Sequence, residues 1–333
     1  MNKNLILLTN DYWVKEYYLE SILPNKINNV FVISDKKNLL LTNYIKKVNQ
    51  NHKFFYLKNL TLNWLKKNID IKNSFLISAG SPWIINEKII NHFKNKIFNI
   101  HQSALPSMRG SVNSYVRLYN LKSIQTTIHV VTKKIDEGNI VFNRDVFIER
   151  NLNLPKDINN FLQKQNRLML KDFLRIHFHG KKKIEENKQN NFFSSYNPRL
   201  KSEINGWIDW SLNVYELDRF INAFEDPYPG ARTMIHGKKV IFRDVDYSCE
   251  DSSRHPYENG MILRKFMDKL VISVNGGSLY IGKILLGKKN ITNDLKAGEI
   301  FYTPLSKLNI SKRKNLYIQN NNIYTTKKKI KKI

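Results

Sequence analysis

Two polar side chains stand at the end of an apolar segment. Ile97, Phe98 and Ile100 indicate a short buried strand, and Asn99 and His101 alternate with these residues. Because alternate residues of a strand share a face, both polar side chains are expected to project from the same side. An amide beside an imidazole can stabilise a developing oxyanion and move a proton. A strand end whose Asn and His satisfy local backbone groups is the competing explanation of this pair.

A carboxylate follows in a predicted hairpin. Residues 126–131 and 135–141 have the pattern of two strands joined by a turn, and Asp136 lies in that turn. A carboxylate there can return to the amide and imidazole at the earlier strand end. The C-terminal edge of a sheet, where that strand ends, is also where open α/β folds keep their binding sites.

Two patterns occur in order along the chain, N-x-H-x-S-x-L-P-x-x-R-G beginning at Asn99 and D-x-G-x-I beginning at Asp136. Together they resemble the 10-formyltetrahydrofolate-dependent formyltransferases, a family that includes glycinamide ribonucleotide transformylase, methionyl-tRNA formyltransferase and the sugar-nucleotide N-formyltransferases. The resemblance is strong over 75–148 and resumes over 196–231. It implies transfer of a formyl group from 10-formyltetrahydrofolate to a primary amine.

The resemblance implies three kinds of site residue. The catalytic residues would be Asn99, which donates to the oxyanion, His101, which stabilises the same oxygen or shuttles a proton, and Asp136, which orients the imidazole. The folate co-substrate would contact Gly80, Ser81, Pro82 and Gly138. The acceptor would be bound by Ser103, Pro106, Arg109, Gly110 and Tyr115. For Tyr115, stacking on a nucleotide base competes with an ordinary place in the core. We expect no metal.

Apolar segments separated by helical patterns predict the fold class. Predicted strands cover 5–9, 30–34, 54–57, 75–79 and 97–100, and predicted helices cover 11–23, 39–49, 86–93 and 155–178. Such alternation is typical of an α/β, Rossmann-like, mostly parallel sheet with helices on both faces. The first turn, residues 9–13, lacks the G-x-G-x-x-G pattern, which disfavours an NAD enzyme. Short strands after residue 206 indicate a small barrel, and the resemblance implies an OB-like domain.

The length of 333 residues and the 41% hydrophobic content predict two domains. We place the catalytic domain at 1–180, a linker at 181–205, the OB-like domain at 206–310 and a basic tail at 311–333. The single cysteine excludes an internal disulfide and a Cys-based zinc site. The apolar run at the N-terminus is too short for a signal peptide or a membrane span, so we expect a cytoplasmic protein without a membrane partner.

The net charge of +27 raises the question of nucleic-acid binding. The lysines accompany many Asn and Ile residues, a bias that AT-rich coding produces without selection for binding. The densest basic runs lie at 181–183 and 327–332, where a solvated linker and a solvated terminus explain them. Charge therefore does not identify the acceptor.

Differences from relatives bear on the acceptor. Gln102 stands where many relatives have proline, residues 111–114 replace a segment of small residues and proline, and residues 35–41 lack the basic insertion that resembles a tRNA clamp. We therefore expect an amino-sugar nucleotide as the acceptor. Initiator methionyl-tRNA is the alternative, and a catalytically silent binding protein on the same fold is a distant third. The sequence leaves the oligomeric state open, with a homodimer as one alternative.

Overall fold

The computed structural model of the chain describes residues 4–149, 151–179, 182–251, 254–313, 316–319 and 322–325. The strands are β1 (Asn4–Thr9), β2 (Asn29–Ser34), β3 (His52–Tyr56), β4 (Ser74–Ala79), β5 (Ile97–His101), β6 (Arg109–Gly110), β7 (Ser123–Val130), β8 (Ile140–Phe147), β9 (Tyr196–Asn197), β10 (Ala231–Ile235), β11 (Lys238–Ser248), β12 (Ile262–Phe266), β13 (Lys269–Val274), β14 (Gly277–Leu286), β15 (Lys289–Asn290), β16 (Leu316–Gln319) and β17 (Asn322–Thr325). The α-helices are α1 (Val14–Tyr17), α2 (Leu39–Val48), α3 (Leu62–Asn68), α4 (Glu87–Phe93), α5 (Asn113–Leu118), α6 (Pro155–Leu174), α7 (Ser202–Asn205), α8 (Val214–Ala223) and α9 (Leu305–Arg313).

The first half of the chain forms a seven-stranded sheet in the order β3-β2-β1-β4-β5-β7-β8. Strands β1 to β5 pair in parallel, whereas β7 and β8 add an antiparallel hairpin beside β5. The chain first builds outward from β1 through β2 and β3, and then crosses to β4 on the other side. This reversal leaves a crevice at the C-terminal strand ends, and the predicted fold class is confirmed.

Alternate residues of β1 belong to two different cores. Leu5 and Leu7 pack with Met169 and Phe173 of α6 on one face of the sheet. Ile6 and Leu8 pack on the other face with the cluster that includes α3 and α4. A strand buried on both faces needs this unbroken apolar sequence, because its side chains point alternately to the two sides.

Several helices differ from the sequence prediction, and α5, α7 and α9 were not predicted. The helix predicted over 11–23 is α-helical only at Val14–Tyr17 and continues as a π-helical turn. It starts late because Asn10 Oδ1 accepts the Trp13 N–H at 3.1 Å, which holds the first residues in a turn. Helix α3 was not predicted, because its seven residues are too few to show a clear period, although Thr61 caps its first turn.

The second half of the chain forms an antiparallel sheet in the order β10-β11-β14-β13-β12, with β15 paired to β14. Its core includes Phe242, Ile281 and Phe301, and helix α8 packs on it through Leu217 and Ile221. This is the β-rich C-terminal domain expected from the sequence. Of the predicted basic tail, residues 326–333 lie outside the described residues.

The chain between the two domains packs against the first domain. We call residues 187–197 the strap. Asn187 forms a β-bridge with Ile140, and β9 pairs in parallel with β6. The segment predicted as a linker is therefore attached to the first domain by backbone hydrogen bonds at two points. Among the described residues, no helix has both the length and the apolar composition needed to cross a lipid bilayer.

Candidate functional site

A cavity of about 520 Å³ opens at the C-terminal ends of the parallel strands. Its walls come from the loops after β4, β5 and β7 and from helices α5 and α6. Of the residues predicted to form the site, those lining this cavity are Gly80, Ser81, Asn99, His101, Gly110 and Asp136. The two sequence patterns, which are distant along the chain, therefore meet in one hollow.

Asn99 is positioned by the pairing of β5 with β7. In this antiparallel register Asn99 lies directly opposite His129, and its Nδ2 is 3.2 Å from His129 Nε2. The Nδ1 of His129 lies 2.9 Å from the Val130 carbonyl oxygen, an acceptor that fixes a proton on Nδ1. In the neutral ring Nε2 is then an acceptor for one amide hydrogen of Asn99. The second amide hydrogen is left for a ligand.

His101 is held through one ring nitrogen. Its Nε2 lies 2.9 Å from the Met108 carbonyl oxygen, to which it donates a proton. Its Nδ1 lies 3.8 Å from Asp136 Oδ2. Because Nε2 is committed to the carbonyl, Nδ1 is the nitrogen able to exchange a proton.

Asp136 is a buried carboxylate beside two imidazoles. Its Oδ1 lies 3.5 Å from His129 Nε2, and its Oδ2 accepts the Gly110 N–H at 3.0 Å. Burial acts to raise the pKa of Asp136. The charge of His101, the neighbouring His129 ring and the Gly110 N–H outweigh burial, so the pKa of Asp136 lies well below its ordinary value. The side chain is therefore an anion throughout the neutral range.

The backbone of Asp136 is held by the strap. Asp136 has a φ of 56°, in the left-handed region that few non-glycine residues adopt. Gln189 Nε2 donates to the carbonyl oxygens of Asp136 (2.9 Å) and Gly138 (2.7 Å). Gln189 is 6% exposed, and its Oε1 accepts from the Arg109 guanidinium at 2.8 Å. One buried amide thus ties the turn that carries the carboxylate to the Arg109 loop.

Arg109 does not face the cavity, contrary to the predicted acceptor role. Besides Gln189, its guanidinium donates to Asn191 Oδ1 at 2.8 Å and lies 3.6 Å from Glu137 Oε1. Its side chain is 9% exposed. An Arg surrounded by carbonyl and carboxylate oxygens in this way fastens loops together, because its donors are already engaged.

The remaining predicted residues lie around the cavity without lining it. Ser103 donates to the Met108 carbonyl, and the Tyr115 hydroxyl donates to the Pro198 carbonyl at 2.8 Å. A Cβ on Gly138 would lie 1.7 Å from the Val130 carbonyl oxygen, so only glycine fits there. These residues, together with Pro82 and Pro106, shape the loops that carry the cavity residues. The structure places none of them against the hollow.

Gly110 acts through its backbone. Its φ is 86°, and a Cβ there would lie 2.4 Å from the Asn197 carbonyl oxygen. Glycine at this position lets the strap approach and leaves the N–H aimed at Asp136. Gly110 therefore lies at the cavity, and its N–H donates to a carboxylate of the protein.

The cavity has two chemically different sides. The first, which we call the apolar lobe, consists of Trp83, Ile84, Ile85, Val131 and Ile135. The second, which we call the amide lobe, consists of Gln102, Asn113, Gln163 and Asn166. Trp83 and Val131 pack with the core on the α3–α4 face of the sheet, whereas α6 covers the opposite face. The lobes therefore lie on opposite sides of the strand ends.

Sequence reasoning missed three of these contributors. His129 was placed on a predicted strand, but the strand register that brings it to Asn99 is not written in a local pattern. Gln163 and Asn166 lie on α6, which was interpreted only through its apolar residues. Polar residues three positions apart that recur on the buried side of a helix were the available signal.

The cationic side chains at the cavity differ in whether they form ion pairs. Lys133 lies 3.2 Å from Glu87 and Lys134 lies 3.3 Å from Glu137. Arg199 is exposed and pairs with no carboxylate among the described residues. In the described ranges, no group of three or more His, Cys, Asp or Glu side chains is arranged as a set of metal ligands.

Family comparisons agree with this architecture. Residues 4–173 match the family model described as formyl transferase, and residues 201–296 match its C-terminal domain. The chain belongs to the formyl transferase family. It is 32% identical over 263 residues to the bifunctional polymyxin resistance protein ArnA of Wigglesworthia glossinidia brevipalpis, a match covering 75% of this chain and 38% of that protein. The methionyl-tRNA formyltransferase of Thermotoga neapolitana is 31% identical over 170 residues, covering 50% of this chain and 51% of that one.

Solved structures share the fold. The N-formyltransferase of Helicobacter canadensis, determined with folinic acid and dTDP-3-aminofucose, superposes with a TM-score of 0.61 at 23% identity and covers 84% of this chain and 99% of its own. The methionyl-tRNA formyltransferase of Clostridium thermocellum superposes with a TM-score of 0.51 at 17% identity, covering 75% and 95%.

Proposed function

We propose that this protein is an N-formyltransferase that moves a formyl group from 10-formyltetrahydrofolate to the primary amine of an amino-sugar nucleotide. The observation that carries the proposal is the convergence of Asn99, His101 and Asp136 in one cavity of a chain that belongs to the formyl transferase family. An amide, an imidazole and a buried carboxylate supply the three functions that acyl transfer to an amine requires.

The mechanism begins with attack of the acceptor amine on the formyl carbon. The carbonyl oxygen becomes negative in the tetrahedral intermediate, and the free amide hydrogen of Asn99 is the donor for it. His101 exchanges the amine's proton through Nδ1, passing it toward N10 of the folate as the C–N10 bond breaks. Asp136 stays ionised and stabilises the protonated ring. Formylated amine and tetrahydrofolate are the products, with no net proton gained or lost by the protein.

The apolar lobe supports binding of the folate. A pteridine is a flat aromatic ring, and apolar side chains such as Trp83, Ile85 and Ile135 provide the surfaces it needs. Gly80 and Ser81 line the same cavity and are our candidates for contacts to the ring edge, as the family resemblance implies. The folate lies beside Asn99 and His101 in this arrangement.

The acceptor assignment draws on the rim of the cavity. Arg199 is an uncommitted cation there, and Tyr196 and Tyr228 also line the hollow. A guanidinium suits a diphosphate, and a phenol ring suits stacking on a base. The Helicobacter canadensis protein, which was determined with an amino-sugar nucleotide, aligns with this chain over nearly its whole length. Methionyl-tRNA is the competing acceptor, because several relatives are methionyl-tRNA formyltransferases.

The test is a formylation assay with purified protein and 10-formyltetrahydrofolate. We expect formylation of dTDP-3-aminofucose or a related dTDP- or UDP-aminohexose, and no useful rate with initiator methionyl-tRNA. The acceptor KM should change little between about 50 and 200 mM salt, whereas a tRNA acceptor held by about six phosphate contacts would weaken about 10³-fold. Efficient formylation of methionyl-tRNA at physiological salt would replace the acceptor. Absence of formyl transfer to any amine would remove the proposed activity.

A further inference from the structure

The amide lobe contains hydrogen-bonding groups that the protein itself does not use. Gln102 Nε2, Asn113 Oδ1 and Asn166 Oδ1 are buried and have no hydrogen-bond partner among the described residues. Asn166 is 1% exposed. An unpartnered polar atom in a protein interior is destabilising, so three in one wall of a cavity require an explanation.

Each amide of helices α5 and α6 is fixed at one end, which determines what the other end offers. Asn113 Nδ2 donates to Asn159 on α6 at 3.0 Å, leaving its carbonyl oxygen. The Tyr17 hydroxyl donates to Gln163 Oε1 at 3.0 Å, leaving the amide hydrogens of Gln163. The same hydroxyl is hydrogen-bonded by the Asn166 side chain. The lobe is therefore a rigid array of neutral donors and acceptors in known orientations.

A neutral array of this kind fits a sugar ring. Each hydroxyl of a hexose both donates and accepts, and its carbons carry no charge to be neutralised. Charged residues in this wall would suit phosphate or carboxylate instead. We propose that the amide lobe is the subsite for the amino-hexose ring of the acceptor, with Gln102 and Asn113 as specificity-determining residues. This inference rests on the proposed function.

The location of the lobe supports the assignment. Gln102 directly follows His101, so a ring bound there places its amine at the end of β5, beside Asn99 and His101. Arg199 lies on the same cavity for the diphosphate. The methionyl side chain of the competing acceptor would leave the amides unpaired, because a thioether and methylene groups offer almost no hydrogen bonds.

The experiment measures the contribution of the sugar to binding. Isothermal titration in the presence of folinic acid gives the Kd of dTDP-3-aminofucose and of dTDP, and their ratio isolates the sugar. Gln102→Met and Asn113→Leu remove amides with little change in shape, on two different elements. Gln125→Met is the matched control, because Gln125 lies on β7 outside the cavity lining. Formylation kinetics with both substrates accompany the titrations.

We expect each cavity variant to raise the Kd of dTDP-3-aminofucose about five- to tenfold, with the Kd of dTDP unchanged within about twofold. The acceptor KM should rise, the folate KM should not, and Gln125→Met should resemble the wild type. A wild-type protein that formylates the sugar nucleotide while both variants keep its Kd ratio and acceptor KM would overturn the subsite and leave the proposed function intact. A wild-type protein that formylates methionyl-tRNA and no aminohexose would overturn both.

Discussion

The protein contains two polar hollows that differ in how their polar groups are used. The larger, about 840 Å³, lies between α5, α8 and β11, and we call it the domain groove. Two ion pairs lie in its wall, Arg117 with Asp218 and Arg243 with Glu225. The candidate-site cavity is smaller, and its groups include neutral amides and a carboxylate between two imidazoles. Size therefore does not identify the reactive site.

The difference separates two uses of buried polarity. An ion pair across a domain boundary holds two elements in register, and breaking it leaves an uncompensated charge. An amide with a free end, or an imidazole with a free nitrogen, is available to a substrate. Substitutions in the domain groove should therefore lower the free energy of unfolding and leave kcat unchanged. Substitutions in the cavity should lower kcat and leave the free energy of unfolding unchanged.

The largest expected effect is on the chemistry. Replacing Asn99, His101 or Asp136 by Ala should lower kcat at least about 100-fold, because each removes transition-state stabilisation or the proton carrier. Circular dichroism and thermal unfolding should show an intact fold. Near-normal turnover in a well-folded His101→Ala protein would end the mechanism proposed for the cavity.

The domain groove should respond in the opposite way. Arg117→Ala leaves the buried Asp218 carboxylate without its cation and should lower the free energy of unfolding by about 2 kcal/mol. Burial already raises the pKa of Asp218 despite the neighbouring Arg117. Adding Asp218→Asn removes the buried charge. It should restore part of the lost free energy of unfolding, as measured by urea unfolding. A large fall in kcat at temperatures where Arg117→Ala remains folded would erase the distinction between the hollows.

A smaller effect is expected at the strap. Gln189→Ala should lower kcat about tenfold with little change in either KM, because the Asp136 backbone loses its hydrogen bond. Gln189→Glu keeps an acceptor for Arg109 but loses the donors, and should behave similarly. Asn191→Ala is the control, since Asn191 contacts Arg109 without touching the Asp136 turn. Equal losses of kcat in Gln189→Ala and Asn191→Ala would mean that the effect comes from the shared contact with Arg109 and not from the Asp136 backbone.

The smallest effect concerns pH and stability. The depressed pKa of Asp136 means that its folded form holds its proton less tightly than the unfolded chain. Its contribution to stability is fully present above the ordinary Asp pKa of about 4 and is lost as pH falls below that value. The difference in unfolding free energy between wild type and Asp136→Asn should shrink as the pH falls below about 4. Urea titrations at several pH values measure it, and a difference that grows on acidification would contradict the assignment.

Local patterns predicted the catalytic strand and the Asp136 turn. Their residues are close in sequence, and alternation alone places Asn99 and His101 on a strand end. The pairing of Asn99 with His129 was not predictable in the same way, because strand register depends on contacts between distant segments. The sequence therefore predicted the polar residues of each separate element. It did not predict that His129, on another strand, lies beside Asn99.

The strap shows a different limit. Its sequence is polar and lacks an apolar period, which is why it was interpreted as a linker. It is attached by the side chains of Gln189 and Ser195 and by backbone pairing, and such contacts leave no hydrophobic pattern. The contacts of Arg109 were not predicted for the same reason, since its partners Gln189 and Asn191 lie far along the chain. A polar segment with buried amides can thus be as firmly placed as an apolar helix.

The strap also increases the length of the minimal functional fragment of this protein. The family match to the first domain ends at residue 173, whereas Gln189 lies beyond it. A fragment that ends after α6 would retain the seven-stranded sheet and both cores. Its Asp136 turn would lack the hydrogen bonds that Gln189 donates. A chimera that joins this first domain to a different C-terminal domain would therefore have to include residues up to 197. The segment needed to hold the Asp136 turn is thus longer than the region that matches the family model.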